Sequence, residues 1–248
     1  MTATDTLEEK TAIVTGASAG IGAATCHALA SDGANVVLAA RSEDRLADRA
    51  GQLEDDYGVE TLVAPTNVRE EADVDALIAD TVERFGGIDV LVNNAGLSRG
   101  HRIEEMATEE YETMQETNVD GVFYATRAAI PHVRDSGGHL IFVASFAGQY
   151  PRSFNPIYAA SKWWVRGFAK SVAAQVGDEG VGVTVVNPAE VRSEFEASDG
   201  TTFADHFDEG EVSEPEEVAD AIRFAASRTG SSISEIDVNR RDKFADGF

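Results

Sequence analysis

Residues 12–30 read AIVTGASAGIGAATCHALA. The run Ala12–Thr15 is apolar and β-branched, which predicts a buried strand, and from Ile21 to Ala30 the spacing turns helical. Between them, Thr15-Gly16-Ala17-Ser18-Ala19-Gly20-Ile21-Gly22 makes a glycine-rich turn. Glycines at such a turn let backbone approach a pyrophosphate and let the N-terminus of the next helix point at it. Ordinary tight turns use the same residues, so the turn gains meaning from its place after a first strand. Its Gly-x3-Gly-x-Gly spacing differs from the Gly-x-Gly-x2-Gly of the commonest dinucleotide fingerprint.

The alternation that starts here continues along the chain. Strand-like runs fall at Ala12–Thr15, Asn35–Ala40, Thr61–Ala64, Ile88–Val92, Leu140–Ala144 and Val181–Val186, with a weaker one at Ile233–Val238. Helix-period stretches such as Ile21–Ala30, Glu43–Tyr57 and Glu70–Phe85 follow them. Strands alternating with helices predict a doubly wound, Rossmann-like α/β fold, a parallel sheet with helices on both faces. No Pro/Gly/Ser linker or repeat divides residues 1–248, which read as one dinucleotide-binding and catalytic domain. Asn155-Pro156 has the chemistry of an N-cap and first helical residue. Ser213 and Glu216 have capping-box spacing ahead of a Val218–Phe224 helix. Between about 189 and 212 there is little periodicity, and a loop this long is expected to cover the substrate.

Composition narrows the partners. The chain has 44 acidic and 20 basic residues, a formal charge of −24, and only Lys10, Lys162, Lys170 and Lys243 are lysines. Such a field repels nucleic-acid phosphates and anionic membrane surfaces. The acids are scattered along the whole chain, which favours a solvated, halophile-like surface over a patch for one basic partner. No run approaches 18 apolar residues, and Met1–Lys10 lacks the basic and apolar stretches of a signal peptide, so a cytoplasmic protein is expected. Cys26 is the single cysteine, which leaves no intrachain disulfide or thiolate cluster. His27, His101, His132, His139 and His206 show no metal-ligand spacing and read as surface or helix residues, and no metal is expected. Asp205–Glu216 superficially resembles a calcium loop, but Phe207 stands at its third, ligand-bearing position.

Cofactor choice is decided about 20 residues past the glycine turn, where a carboxylate would hold the ribose 2′-hydroxyl of NAD. The sequence there is Ala39-Ala40-Arg41-Ser42. A guanidinium can pair with a 2′-phosphate and the serine hydroxyl can add a hydrogen bond, which favours NADP and makes NAD the lesser cofactor. Arg41 could instead pair with Glu43 or Asp44 at the surface. Further on, Tyr158 and Lys162 stand i, i+4 on the helix that Asn155 caps, so the ammonium can lie near the phenol. A neighbouring cation favours phenolate and turns a group of pKa near 10 into a usable acid or base. Ser145 stands just past the fifth strand, where open α/β sheets place ligands. A Tyr/Lys pair alone is also ordinary helix surface.

The motifs together are more specific. Thr15–Gly22, Asn93-Asn94-Ala95-Gly96, Asn118, Ser145, Tyr158-x3-Lys162 and Asn187-Pro188 occur in one order and one set of spacings. In these the chain closely resembles the short-chain dehydrogenase/reductase family, over nearly everything from Lys10 to Val238. The resemblance implies a seven-stranded parallel sheet and an NADP-preferring oxidoreductase that moves a hydride between NADP(H) and a small carbonyl or alcohol. It implies that Tyr158 is the general acid/base, that Ser145 holds the substrate oxygen, and that Lys162 lowers the tyrosine pKa and binds the nicotinamide ribose. Asn118 would hold a water of a proton relay. Gly16, Ser18, Gly20, Ile21 and Gly22 would line the adenosine and pyrophosphate side, and Asn94, Ala95 and Gly96 would contact the riboses. Val191 would bond the carboxamide through its backbone, with Ser193 assisting. Three departures stand out: Asn67-Val68 where the family has Asp-Val, Pro188-Ala189 for Pro-Gly, and Ser193 for threonine. An amide at Asn67 can still accept from the adenine amino group.

Trp163, Trp164 and Phe168 could be core, but bulky aromatics also suit a buried contact between subunits; the resemblance implies that this helix packs between subunits, and a homotetramer or homodimer is expected. A 3-oxoacyl reductase acting on an acyl-carrier or coenzyme A thioester is an alternative, but Glu190, Glu194, Glu196, Asp199, Asp205, Asp208, Glu209 and Glu211 oppose only Arg192 in the 190–212 loop, which is hostile to an anionic carrier. A non-catalytic NADP sensor would need the cofactor turn but not the Ser145, Tyr158, Lys162 and Asn118 set.

Overall fold

The computed structural model describes residues 6–99, 102–195 and 201–244. Its strands are β1 (Thr11–Thr15), β2 (Asn35–Ala40), β3 (Thr61–Pro65), β4 (Val90–Asn93), β5 (His139–Val143), β6 (Gly182–Pro188) and β7 (Glu235–Val238). They form one parallel sheet in the order β3-β2-β1-β4-β5-β6-β7. The order reverses between β1 and β4, and open α/β sheets bind ligands at that switch point, beyond the carboxyl ends of the strands.

Burial on both faces explains why these strands read as unbroken apolar runs. Along β1, Ala12 and Val14 face one core while Ile13 faces the other; along β5, Ile141 and Val143 oppose Leu140 and Phe142 in the same way. The first core is closed by Leu29 of α1 (Gly20–Ser31), Leu46 and Leu53 of α2 (Glu43–Tyr57), and Val218 and Ile222 of a C-terminal helix, Pro215–Ala226. The second takes Val74 and Leu77 of α3 (Glu71–Phe85), Val122 and Ala129 of α5 (Gly121–Ser136), and Val165 and Val172 of α6 (Pro156–Val176). Between α3 and α5 lie α4 (Thr108–Gln115) and one π turn, Glu116–Asp120.

Two local expectations are corrected. The capping box at the C-terminal helix lies one residue later than Ser213/Glu216. Proline fits the first helical position because its φ is preset and its absent N–H would be unbonded there, so Pro215 makes Glu214 the N-cap, and Glu217 accepts from the Glu214 N–H at 2.9 Å. Ser213 instead pairs with Val191 in an isolated parallel bridge and accepts from the Arg192 N–H through its carbonyl. The 189–212 segment is also less irregular than expected. It holds a short helix, α7 (Phe203–His206), capped by Thr202, whose hydroxyl accepts from the Asp205 N–H at 3.2 Å. Helix Pro215–Ala226 is accordingly α8. Asp205 accepts from the Thr202 N–H and hydroxyl rather than serving as a first calcium-loop ligand. Glu196, Asp199 and His101 lie outside the described residues.

Candidate active site

At the carboxyl ends of β1 and β4 a cleft of about 740 Å³ opens. The glycine turn forms its floor. Gly16 and Gly20 have φ of 69° and 53°, where a side chain is strained. A Cβ on Gly22 would stand 2.1 Å from the Gly16 carbonyl oxygen, so only glycine fits where α1 meets the turn. Ala19, the N-cap of α1, makes no side-chain cap, and the first turn of α1 carries no acid. By contrast α2, α3, α4 and α8 each have two acidic residues there. The α1 N–H groups and dipole are therefore left for an external anion. Ser18 and Ile21 line the same wall.

Side chains that sequence reading passed over brace this turn. Thr15 Oγ1 donates to the Val92 carbonyl at 3.2 Å and accepts from the Asn94 and Ala95 N–H groups at 3.0 Å each. Asn94 Nδ2 donates to the Thr15 carbonyl at 2.8 Å, so its side chain clamps β4 to β1 and its backbone, with Ala95 and Gly96, faces the cleft. Arg49 on α2 donates to the Ser18 carbonyl at 2.9 Å. No local pattern signals these bonds, because they join residues far apart in sequence.

Arg41 and Ser42 line the cleft at the end of β2. Among the described residues the Arg41 guanidinium has no ion pair, with Glu43 and Asp44 or otherwise, and the Ser42 hydroxyl does not cap α2. Both are free to meet a phosphate. Asn67 and Val68 line the wall nearby; Asn67 Oδ1 accepts from the Arg69 N–H at 3.3 Å and Val68 packs on Gly121.

The opposite wall brings together Ser145, Tyr158 and Lys162. Ser145 opens a short turn, its hydroxyl accepting from the Ala147 N–H at 3.1 Å. Asn155, buried, caps α6 through Tyr158 N–H at 3.3 Å and donates to Ser98 Oγ at 2.5 Å, which fixes the first turn of α6 against the loop after β4. Burial pushes the Tyr158 phenol above its ordinary pKa of 10, against a hydrogen bond with Ser145 and the charge of Arg152. Lys162 Nζ lies 5.8 Å from the Tyr158 ring centre and donates to the Val143 carbonyl at 2.9 Å; burial pulls its pKa down to about 8.

Asn118 sits behind this wall, buried in the π turn. Its amide accepts from the Leu97 N–H and donates to the Leu97 carbonyl, both at 2.9 Å, and donates to Ser161 Oγ at 3.1 Å. Both Nδ2 hydrogens are thus used and Oδ1 accepts one bond, which fixes the side chain against the loop after β4. Gly96 lies between: a Cβ on it would stand 3.4 Å from both Asn118 Oδ1 and Lys162 Nζ.

The loop after β6 closes the cleft. Val191 and Ser193 line it, and Ser193 lies over Gly20, 3.2 Å from where a Cβ would be. Ala189 departs from the usual glycine without strain, since outside glycine only Glu9 has a positive φ among the described residues. Glu190 is held by Lys243 at 2.5 and 2.6 Å. Burial opposes its ionisation, but Lys243, with a backbone hydrogen bond and the charge of Arg152, outweighs that and holds the carboxyl below its ordinary range. Among the described residues no helix is long and apolar enough to cross a membrane.

Known proteins share the family and the fold of this chain. Residues 10–203 match the family model described as short chain dehydrogenase. An uncharacterized oxidoreductase of Staphylococcus aureus (strain MRSA252) is 33% identical over 234 residues, 94% of this chain and 97% of the relative. Among solved structures, an alcohol dehydrogenase from the archaeon Thermococcus sibiricus, complexed with 5-hydroxy-NADP, superimposes with a TM-score of 0.88 at 29% identity, covering 95% of this chain and 98% of that one. A 3-ketoacyl-(acyl-carrier-protein) reductase from Brucella melitensis, complexed with NADH, gives 0.86 at 30% identity, with 96% and 100% covered.

Proposed function

The chain belongs to the short-chain dehydrogenase family, and from that premise we propose that it is an NADP(H)-dependent reductase or dehydrogenase of small carbonyl and alcohol compounds. The observation that carries this reading is the presence of Ser145, Tyr158 and Lys162 on one wall of a cleft whose floor is the uncapped, glycine-built N-terminus of α1. That floor fits a dinucleotide pyrophosphate, and the unpaired Arg41 fits a 2′-phosphate. The two similar structures carry 5-hydroxy-NADP and NADH respectively, so the preference for NADP rests on Arg41 and the absent carboxylate at Ala40.

When bound, the nicotinamide supplies or accepts the hydride. The chain's own residues handle the proton. Ser145 orients the substrate oxygen, and Tyr158 gives that oxygen a proton in reduction and removes it in oxidation. Lys162, with its Nζ 5.8 Å from the Tyr158 ring centre, would favour the phenolate and would hold the ribose hydroxyls of the dinucleotide. The π turn at Asn118 offers backbone for a water that returns the proton to solvent. Gly16, Gly20, Gly22 and Ile21 pass the dinucleotide, while Val191 and Ser193 close on it from the lid at about 189–212.

Two variants test the reading. Tyr158→Phe should cut turnover at least a hundredfold while dinucleotide binding, followed by NADPH fluorescence, persists; near-normal turnover would remove the tyrosine mechanism. Arg41→Ala should weaken NADPH far more than NADH, and a wild type that binds NADH more tightly would remove the 2′-phosphate site. The acidic lid, with Glu194 and Asp205 among its described carboxylates, opposes the carrier-thioester reading.

A further inference from the structure

The molecule is strongly acidic, yet the cleft is not. Its basic lining residues are Arg41, Arg45, Arg69, Arg152 and Lys162, against Glu190 and Glu194. Two of the five are spoken for: Arg45 pairs with Glu194 at 2.7 Å and Arg69 with Glu116. Arg41 lies at the 2′-phosphate end and Lys162 stands beside Tyr158. Arg152 is the cation that the dinucleotide does not account for.

Arg152 belongs to the segment between the Ser145 turn and α6, on the wall that carries the reacting groups. Its guanidinium lies 4.7 Å from the centre of the Phe146 ring and makes no ion pair or hydrogen bond among the described residues. The nearby carboxylate, Glu190, is occupied, since Lys243 holds both of its oxygens. Lys243 Nζ also lies over Phe146, 4.5 Å from the ring centre. Phe146 is buried directly after Ser145, so stacking fixes the guanidinium while its N–H fork stays unspent. Its charge reaches Tyr158, favouring the phenolate.

We propose that Arg152 is an anion-holding subsite of the substrate pocket, and that the compound reduced at Tyr158 is a small oxo acid whose carboxylate pairs with this guanidinium. This rests on the hydride-transfer reading above. One planar fork matches one carboxylate. In the reducing direction the carbonyl carbon gains the hydride of the reduced dinucleotide and its oxygen gains the Tyr158 proton. The products are a hydroxy acid and oxidised dinucleotide, with the substrate carboxylate unchanged at Arg152.

The test compares acetoacetate and 4-oxopentanoate with their methyl esters, adds dihydroxyacetone phosphate, and titrates butyrate into the NADP+-loaded protein by calorimetry. The wild type should prefer each acid to its ester at least tenfold in kcat/KM and should bind butyrate. Arg152→Met should bring the acid-to-ester ratio near one and abolish butyrate binding, while Arg152→Lys keeps part of both. Acid and ester share one Tyr158, so any change in proton transfer cancels in the ratio. Turnover of esters with no preference for acids, or a preference that survives Arg152→Met, would overturn the subsite and leave hydride transfer standing. A preference for the phosphate ester would overturn the carboxylate assignment. Butyrate binding through Arg152 with no turnover of any probe would overturn hydride transfer instead and leave the subsite standing. Absence of both turnover and butyrate binding would overturn the proposal.

Discussion

His139 begins β5, buried, with its Nε2 2.8 Å from Thr184 Oγ1 on β6. Thr184 spends its own hydrogen on the Ile233 carbonyl at 2.6 Å, so the imidazole donates through Nε2. Its other nitrogen faces Gly182, where a Cβ would come within 2.4 Å. Burial pulls the His139 pKa from 6.5 down to about 4. The unfolded chain binds this proton first as pH falls, so stability is full above pH 6.5 and is lost as pH drops toward 4. A shift of this size corresponds to about 3 kcal/mol across that window. His139→Gln should therefore flatten the acid limb between pH 6.5 and 4 in urea melts, whatever its effect at pH 7. An unchanged slope would mean that other groups set the acid limit. The expected surface or helix position of this histidine is corrected: it stands buried in a strand, because its burial comes from β6 pairing 45 residues away.

At the scale of elements, the sequence and the structure agree where physics is local. The six stronger strand readings fall within two residues of the observed strands, and α2 spans Glu43–Tyr57 as expected. Doubly buried strands announce themselves as apolar runs, and Asn155-Pro156 announces α6 by capping chemistry. Ser213 outranks Glu214 in cap preference and so draws the expected capping box one residue early, while Pro215 fixes where α8 begins. The π turn at Asn118, the Thr15 hydroxyl hub and the Arg49 brace were not legible, since each depends on chain segments brought together only by the sheet. The glycine turn, Arg41 and the Ser145, Tyr158 and Lys162 set are legible as motifs, and they share a cleft. Asn155 links the two kinds of feature. Asn155→Ala removes the α6 cap and strands the Ser98 hydroxyl, which should cost about 1–2 kcal/mol in denaturant melts. Because Tyr158 stands in that first turn, kcat should fall more than cofactor affinity. Asn155→Asp, which keeps the cap acceptor, should recover most of the stability; failure to recover would place the loss elsewhere.

Across the whole molecule, a charge of −24 surrounds a cleft rich in guanidinium groups. Surface carboxylates repel over a Debye length of about 10 Å at 0.1 M salt and only about 3 Å at 1 M. Melting temperature should rise between about 0.1 M and 2 M potassium chloride, while the Arg41 contact with a 2′-phosphate weakens, so activity should peak at intermediate salt. A flat or falling melting temperature would contradict the repulsion argument. On α6, Trp163 and Trp164 are 47% and 36% exposed, with Trp164 stacked on Phe168 at 4.7 Å; a dimer or tetramer by light scattering should gain population over the same salt range. The central pairing of the sheet also sets a timetable for synthesis. The Thr15 hydroxyl bonds Val92, 77 residues later. At about 5–20 residues per second a ribosome takes roughly 4–15 s to deliver that partner. Until then β1 lacks its inner neighbour, and α1 waits longer still for α8, whose first residue is Pro215. The nascent N-terminal half therefore emerges with the buried strand β1 uncovered on one edge, a natural client for a ribosome-associated chaperone.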